Sequence, residues 1–144
     1  MSPNEALNYA GTDFIKGDLR RLKRLASLGE DIFNNYRIII GKLTDGLLPS
    51  SLFNCLFGDC LTRKTVKAET IEFYKIRVGI TNPKMSPSSG ARLVYGIIRS
   101  KKSFIPILVY AACEEGKFYL INNKKLPLRK SGLVQIIDEK LKLM

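Results

Sequence analysis

Lys75 and Arg77 stand two positions apart in Phe73 to Ile80, a stretch whose residues alternate with the period of a strand. Tyr74, Ile76, Val78 and Ile80 fall on one face. Phe73, Lys75, Arg77 and Gly79 fall on the other. Arg92 opens the next strand-like run, Arg92 to Ile98, with Tyr95 inside it. A group of cations with neighbouring tyrosines suits phosphodiester chemistry without a metal. A guanidinium pairs two phosphate oxygens at once and keeps its charge at any useful pH. When a 2′-hydroxyl attacks phosphorus, charge grows on the equatorial oxygens, and pre-placed cations stabilise it there. Only RNA carries that hydroxyl, and tyrosines stack on splayed bases or transfer a proton. The plainer reading is a solvated polar sheet face.

Charge distribution favours binding. The chain of 144 residues carries a net +11, which implies an anionic partner. Residues 1–46 hold seven Lys/Arg against six Asp/Glu, whereas residues 47–144 hold seventeen against seven. The binding surface is expected in the second part. Charge alone does not indicate an enzyme. The chain has no histidine, which excludes Ser-His-Asp and Cys-His arrangements. It also lacks a Gly-x-x-x-x-Gly-Lys phosphate loop. Cys55, Cys60 and Cys113 have no framework spacing and suggest a reduced, cytoplasmic protein. A zinc site would need all three plus a carboxylate, so no metal and no small-molecule cofactor are expected. Met1 to Gly11 lacks the features of a signal peptide. Phe104 to Cys113, the longest apolar run, is about half a membrane span.

The positioning elements follow from periodicity. Ala6 to Ala10 predicts a short first strand, followed by a helix capped by Thr12 or Asp13. Ile15, Leu19, Leu22 and Ala26 draw that helix's apolar stripe as far as Ser27 to Gly29. Ile32, Phe33, Tyr36, Ile39, Ile40 and Leu43 predict a second helix, stopped by Gly46 and Pro49, so the two make a helical hairpin. Residues 47–71 fit neither period clearly. The Pro- and Ser-rich stretch Thr81 to Gly90 is a loop. Phe104 to Ala112 predicts a strand in which Pro106 marks an edge or a bulge. Residues 117–121 predict another strand. Ser131 caps a final helix with Leu133, Val134, Ile137 and Leu141 inward. The expected class is α+β, one domain over 1–144. One sheet face packs on the helices, and the open face carries Lys75 and Arg77.

These pieces carry a resemblance. Tyr74-Lys75-Ile76-Arg77, then Ser89-Gly90-Ala91-Arg92-Leu93-Val94-Tyr95, resembles the central sheet of the RelE/HigB toxins of bacterial toxin–antitoxin pairs. Phe14-Ile15-Lys16-Gly17-Asp18-Leu19-Arg20-Arg21-Leu22 is similar to that family's first helix, and Ile107-Leu108-Val109-Tyr110-Ala111 to its following strand. The resemblance spans about residues 6–115, with 116–144 as a C-terminal extension. It implies a RelE-like fold: an N-terminal strand and helical hairpin on a small antiparallel sheet. It also implies a ribosome-dependent mRNA endonuclease that halts translation and is held inactive by a cognate acidic antitoxin.

Carried over by residue, the resemblance makes Lys75 and Arg77 the RNA-contacting strand that helps activate the nucleophile. Arg92 becomes the arginine that stabilises the transition-state phosphate, and Tyr95 a packing residue. The family has a basic pair and a tyrosine after its fourth strand. Here Cys113 to Tyr119 lacks the arginine and offers Lys117 and Tyr119 instead. Lys84, Arg99, Lys101 and Lys102 are candidates for further RNA contacts. Two other readings stay open. One is a non-enzymatic superfamily member, either a ParE-like gyrase inhibitor or a degenerate RNA or ribosome binder. The other is an unrelated basic domain that binds nucleic acid through charge alone.

Overall fold

The computed structural model describes residues 12–45 and 57–142. The strand expected at Ala6 to Ala10 and the whole of 46–56, with Gly46 and Pro49, lie outside them. A 3₁₀ turn, Thr12–Ile15, leads into helix α1 (Lys16–Arg21), and helix α2 covers Leu28–Thr44. Strands β1 (Asp59–Val66), β2 (Glu69–Val78), β3 (Ala91–Ile98) and β4 (Ser103–Ala111) form an antiparallel meander in that order. Strands β5 (Phe118–Ile121) and β6 (Lys124–Pro127) make a separate hairpin, and helix α3 (Lys130–Leu141) follows. The class is α+β, as the periodicity implies. Among the described residues no helix is long and apolar enough to cross a membrane.

α1 is shorter than its apolar stripe suggests. Leu22 is buried as expected, but Ala26 is exposed and Leu25 is buried in its place, because the chain turns there through bonds from Leu25 N–H to the Leu22 carbonyl and from Leu28 N–H to the Leu25 carbonyl. Such three-residue turns preserve a helix-like spacing without continuing the helix. The cap expected at Ser131 is also displaced. α3 begins one residue before Ser131, Arg129 is its N-cap, and no side chain caps it.

The four-stranded sheet is covered on both faces. On one, α2 sets Ile32, Tyr36, Ile39 and Leu43 against Tyr74, Ile76, Val78, Leu93 and Tyr95. An aromatic row runs through this layer. The Tyr74 and Tyr95 rings stack 5.8 Å apart as direct cross-strand partners, and Tyr95 stacks on Phe104 at 4.7 Å. Such pairs add about 0.5–1.5 kcal/mol beyond the area they bury. The Tyr95 hydroxyl donates to the Phe57 carbonyl, so this tyrosine packs rather than faces a ligand.

The opposite face is not open along its length, which corrects the sequence expectation. α3 and the β5–β6 hairpin place Leu126, Leu128, Leu133, Ile136 and Ile137 over Ile71, Phe73, Val94 and Leu108. The cover stops short of one end of the sheet. There Lys75 is half-buried and Arg77 exposed. Pro106 lies on β4, a terminal strand of the sheet, opposite Tyr95 where the β3–β4 register shifts. A proline is tolerated at such a place because no ladder N–H is needed from it.

Candidate functional site, a basic cleft between the sheet and the last helix

At the uncovered end, cross-strand register builds the site. Arg77 is paired with Arg92, and Arg92 with Tyr110, so one rung of β2, β3 and β4 presents two guanidiniums and a phenol on one face. Lys75 lies on the same face, two residues from Arg77 and opposite Asp59 of β1. Leu128, Arg129 and Lys130, where α3 begins, form the facing wall, and Glu115 closes the side. The cleft has a volume of about 330 Å³.

Two arginines opposite each other repel, and the chain relieves only one of them. Arg92 is 5% exposed and deeply engaged. Its Nε donates to Glu115 Oε1 at 2.6 Å, Nη1 to the Pro87 and Ala91 carbonyls at 2.9 and 3.2 Å, and Nη2 to the Ser88 carbonyl at 3.0 Å. A guanidinium has five N–H donors, so one remains for a ligand. Arg92 thus ties the Pro87–Gly90 loop to the sheet. The close approach is completed by Gly90, where a Cβ would meet the Val78 carbonyl oxygen at 2.2 Å. Arg77, Lys75 and Lys130 make no ion pair with any described residue.

Tyr110 is fully buried, yet its hydroxyl has no hydrogen-bond partner among the described residues. Burial, and then the charge of Glu115, push its pKa up to about 12, with Arg92 acting in the other direction. It therefore stays protonated, a neutral donor on the cleft wall.

Other candidates lie elsewhere. Lys117 is exposed and outside the cleft lining. The Tyr119 hydroxyl donates to Asp18 Oδ1 at 2.6 Å, beneath Arg21 and Lys140. Burial, then Asp18, raise the Tyr119 pKa. It serves a structural cluster. Arg99 pairs with Glu72 and Lys101 with Glu69. Both stand at the far end of β3 from Arg92, roughly 23 Å away at about 3.3 Å per strand residue. Lys102 is exposed beside them, and Lys84 is exposed on the turn after β2. The structure therefore brings Lys75, Arg77 and Arg92 together and separates them from the other six.

Tyr110, Arg129, Lys130, Asp59 and Glu115 are the cleft residues that sequence reasoning missed. Tyr110 had a signal, since it falls in the run Ile107 to Ala111 next to the Arg92 strand. Glu115 falls in the Cys113 to Tyr119 stretch and enters from the turn after β4, whereas Arg129, Lys130 and Asp59 had no signal, because they reach the cleft only through the docking of α3 and through β1. No protein-family model, no curated protein and no solved structure matches this chain.

Proposed function

We propose that the cleft binds an RNA phosphate and that the protein is a toxin of the RelE/HigB kind, cutting mRNA on the ribosome. The observation that carries this reading is the rung Arg77–Arg92–Tyr110, with Lys75 beside it and Arg129 and Lys130 facing it. Unpaired cations around a concave site are retained against their mutual repulsion when an anion completes them. In the cleavage step the 2′-hydroxyl attacks the adjacent phosphorus and the bond to the 5′-oxygen breaks. The products are a 2′,3′-cyclic phosphate and a 5′-hydroxyl. Lys75, Arg77 and the remaining Arg92 donor stabilise the charge that builds on the phosphoryl oxygens. Glu115 is held by Arg92, which leaves Asp59 as the cleft carboxylate able to take the 2′-hydroxyl proton. The leaving oxygen takes a proton from water. An acidic antitoxin segment laid over this cleft would neutralise it.

The commitment of Arg92 to Glu115 and the loop carbonyls favours a second reading: a superfamily member that binds without cutting. It would be a ParE-like gyrase inhibitor or an RNA or ribosome binder. An in-vitro translation reaction with mapped mRNA ends separates them. New ends with cyclic phosphate are expected, and Lys75→Gln with Arg77→Gln should abolish them while leaving the urea midpoint unchanged. Intact mRNA on stalled ribosomes would support the binder. Inhibited supercoiling by gyrase would support the ParE-like version.

A further inference from the structure

The start of α3 breaks the usual rules for a helix start at one place. Helix N-termini carry four amides without intrahelical partners and a partial positive charge, and acidic residues with a side-chain cap normally serve both. Here the N-cap is Arg129, which makes no cap bond, and the first turn is Lys130-Ser131-Gly132 with no acid in it. Two cations therefore sit at the positive end of a helix of 12 residues. This arrangement is unfavourable unless an anion is present. The placement is built rather than incidental. A Cβ on Gly132 would meet the Pro127 carbonyl oxygen at 1.8 Å, so only glycine lets the first turn close against the end of β6. Leu128, Arg129 and Lys130 thereby become a wall of the cleft.

The second observation is independent of the helix. In the same cavity, the buried Tyr110 hydroxyl has no partner among the described residues. A buried hydroxyl without a partner is costly, and this one belongs to a residue that lines the same cavity as Arg129 and Lys130, where α3 begins. We infer that the first turn of α3 and the Tyr110 hydroxyl together form the seat for one phosphate group, with Arg129 and Lys130 as its counter-charges. On this inference the C-terminal helix is part of the binding machinery and not only a cover for the sheet. It rests on the phosphate-binding reading of the cleft and names the groups that hold the phosphate.

The test uses the full chain, inorganic phosphate as one probe and a 2′-O-methyl RNA oligonucleotide as the other. In amide NMR, phosphate should shift the signals of Lys130, Ser131 and Gly132. Tyr110→Phe should weaken both ligands on the order of tenfold, the loss expected for one hydrogen bond to a charged acceptor. Its thermal midpoint should not fall, because the hydroxyl has no partner among the described residues to lose. Its salt dependence should match the parent, whereas Lys130→Gln should lower the slope of log affinity against log salt by about 0.7 for the RNA. RNA binding that is lost in Lys75→Gln with Arg77→Gln but untouched in Tyr110→Phe overturns the seat and leaves the RNA reading standing. Phosphate that shifts 130–132 with no RNA affinity keeps the seat and removes the RNA reading. Phosphate that shifts other amides, or none, overturns the seat.

Discussion

Two charged clusters meet on β4, one residue apart. At Val109 the backbone N–H donates to Asp18, which is 1% exposed and also accepts from Arg21 at 2.8 Å and Tyr119 at 2.6 Å, with Lys140 at 3.5 Å. At Tyr110 the phenol meets the cleft, where Lys75, Arg77 and Lys130 lack ion-pair partners among the described residues. The first cluster closes on itself. Burial lowers the Lys140 pKa, and Asp18 partly restores it. Arg21 bridges outward to Glu114, whose pKa is lowered, against burial, by the Ala111 backbone and Arg21. The second cluster is completed by nothing within the described chain. Charge satisfied inside the fold holds elements together, while charge left unsatisfied at a concave surface points to a partner.

The sharpest way to break this contrast is Asp18→Ala. It leaves the Lys140 ammonium buried without its counter-ion and should cost about 3–5 kcal/mol in urea unfolding. A loss below about 1 kcal/mol would mean that the closed cluster is not what docks α3. Arg92→Ala probes the residue that belongs to both kinds of cluster. From the sequence alone this change should leave the fold intact. Its bonds to Pro87 and Ser88 instead predict a loss of about 1–3 kcal/mol. Faster hydrogen exchange should appear in the Pro87–Gly90 loop. Unchanged exchange would return Arg92 to a purely ligand-facing role.

The smallest effect concerns Glu139, whose pKa falls to about 2 through bonds from Lys124, Asn122 and Lys142. The ordinary value is 4.5, so the unfolded chain takes up the proton first as pH drops. Stability present above about pH 4.5 should be lost progressively towards pH 2. Thermal midpoints across that range should fall less steeply in Lys124→Gln, and an equal slope would remove Glu139 as the link between the hairpin and α3.

The legible part of the fold was the part with a clean period. β2 alternates, and the faces assigned to Tyr74 and Lys75 are those observed, while β3 and β4 read as short apolar runs and are buried almost throughout. β1 escaped notice because it is a half-exposed terminal strand. Its register shifts between Cys60 and Thr62, and the break dilutes the alternation. α1 is shorter than the sequence implies because Leu22 and Ala26 stand at helical spacing, whereas the chain there runs through three-residue turns that bury Leu25 and expose Ala26. The cations of β2 and β3 could be found from local pattern. The facing wall could not, since Arg129 and Lys130 reach the cleft only through packing against residues far away in sequence.

That separation has a kinetic consequence. Asp18 and Lys140 stand 122 positions apart, and Lys140 also reaches the Phe14 carbonyl at a separation of 126. Contacts closing such long loops are the slow ones to form. A folding chain can pair β2 with β3 early and gather Lys75, Arg77 and Arg92 while the cleft still has one wall. The cleft is thus complete only once its last helix has docked.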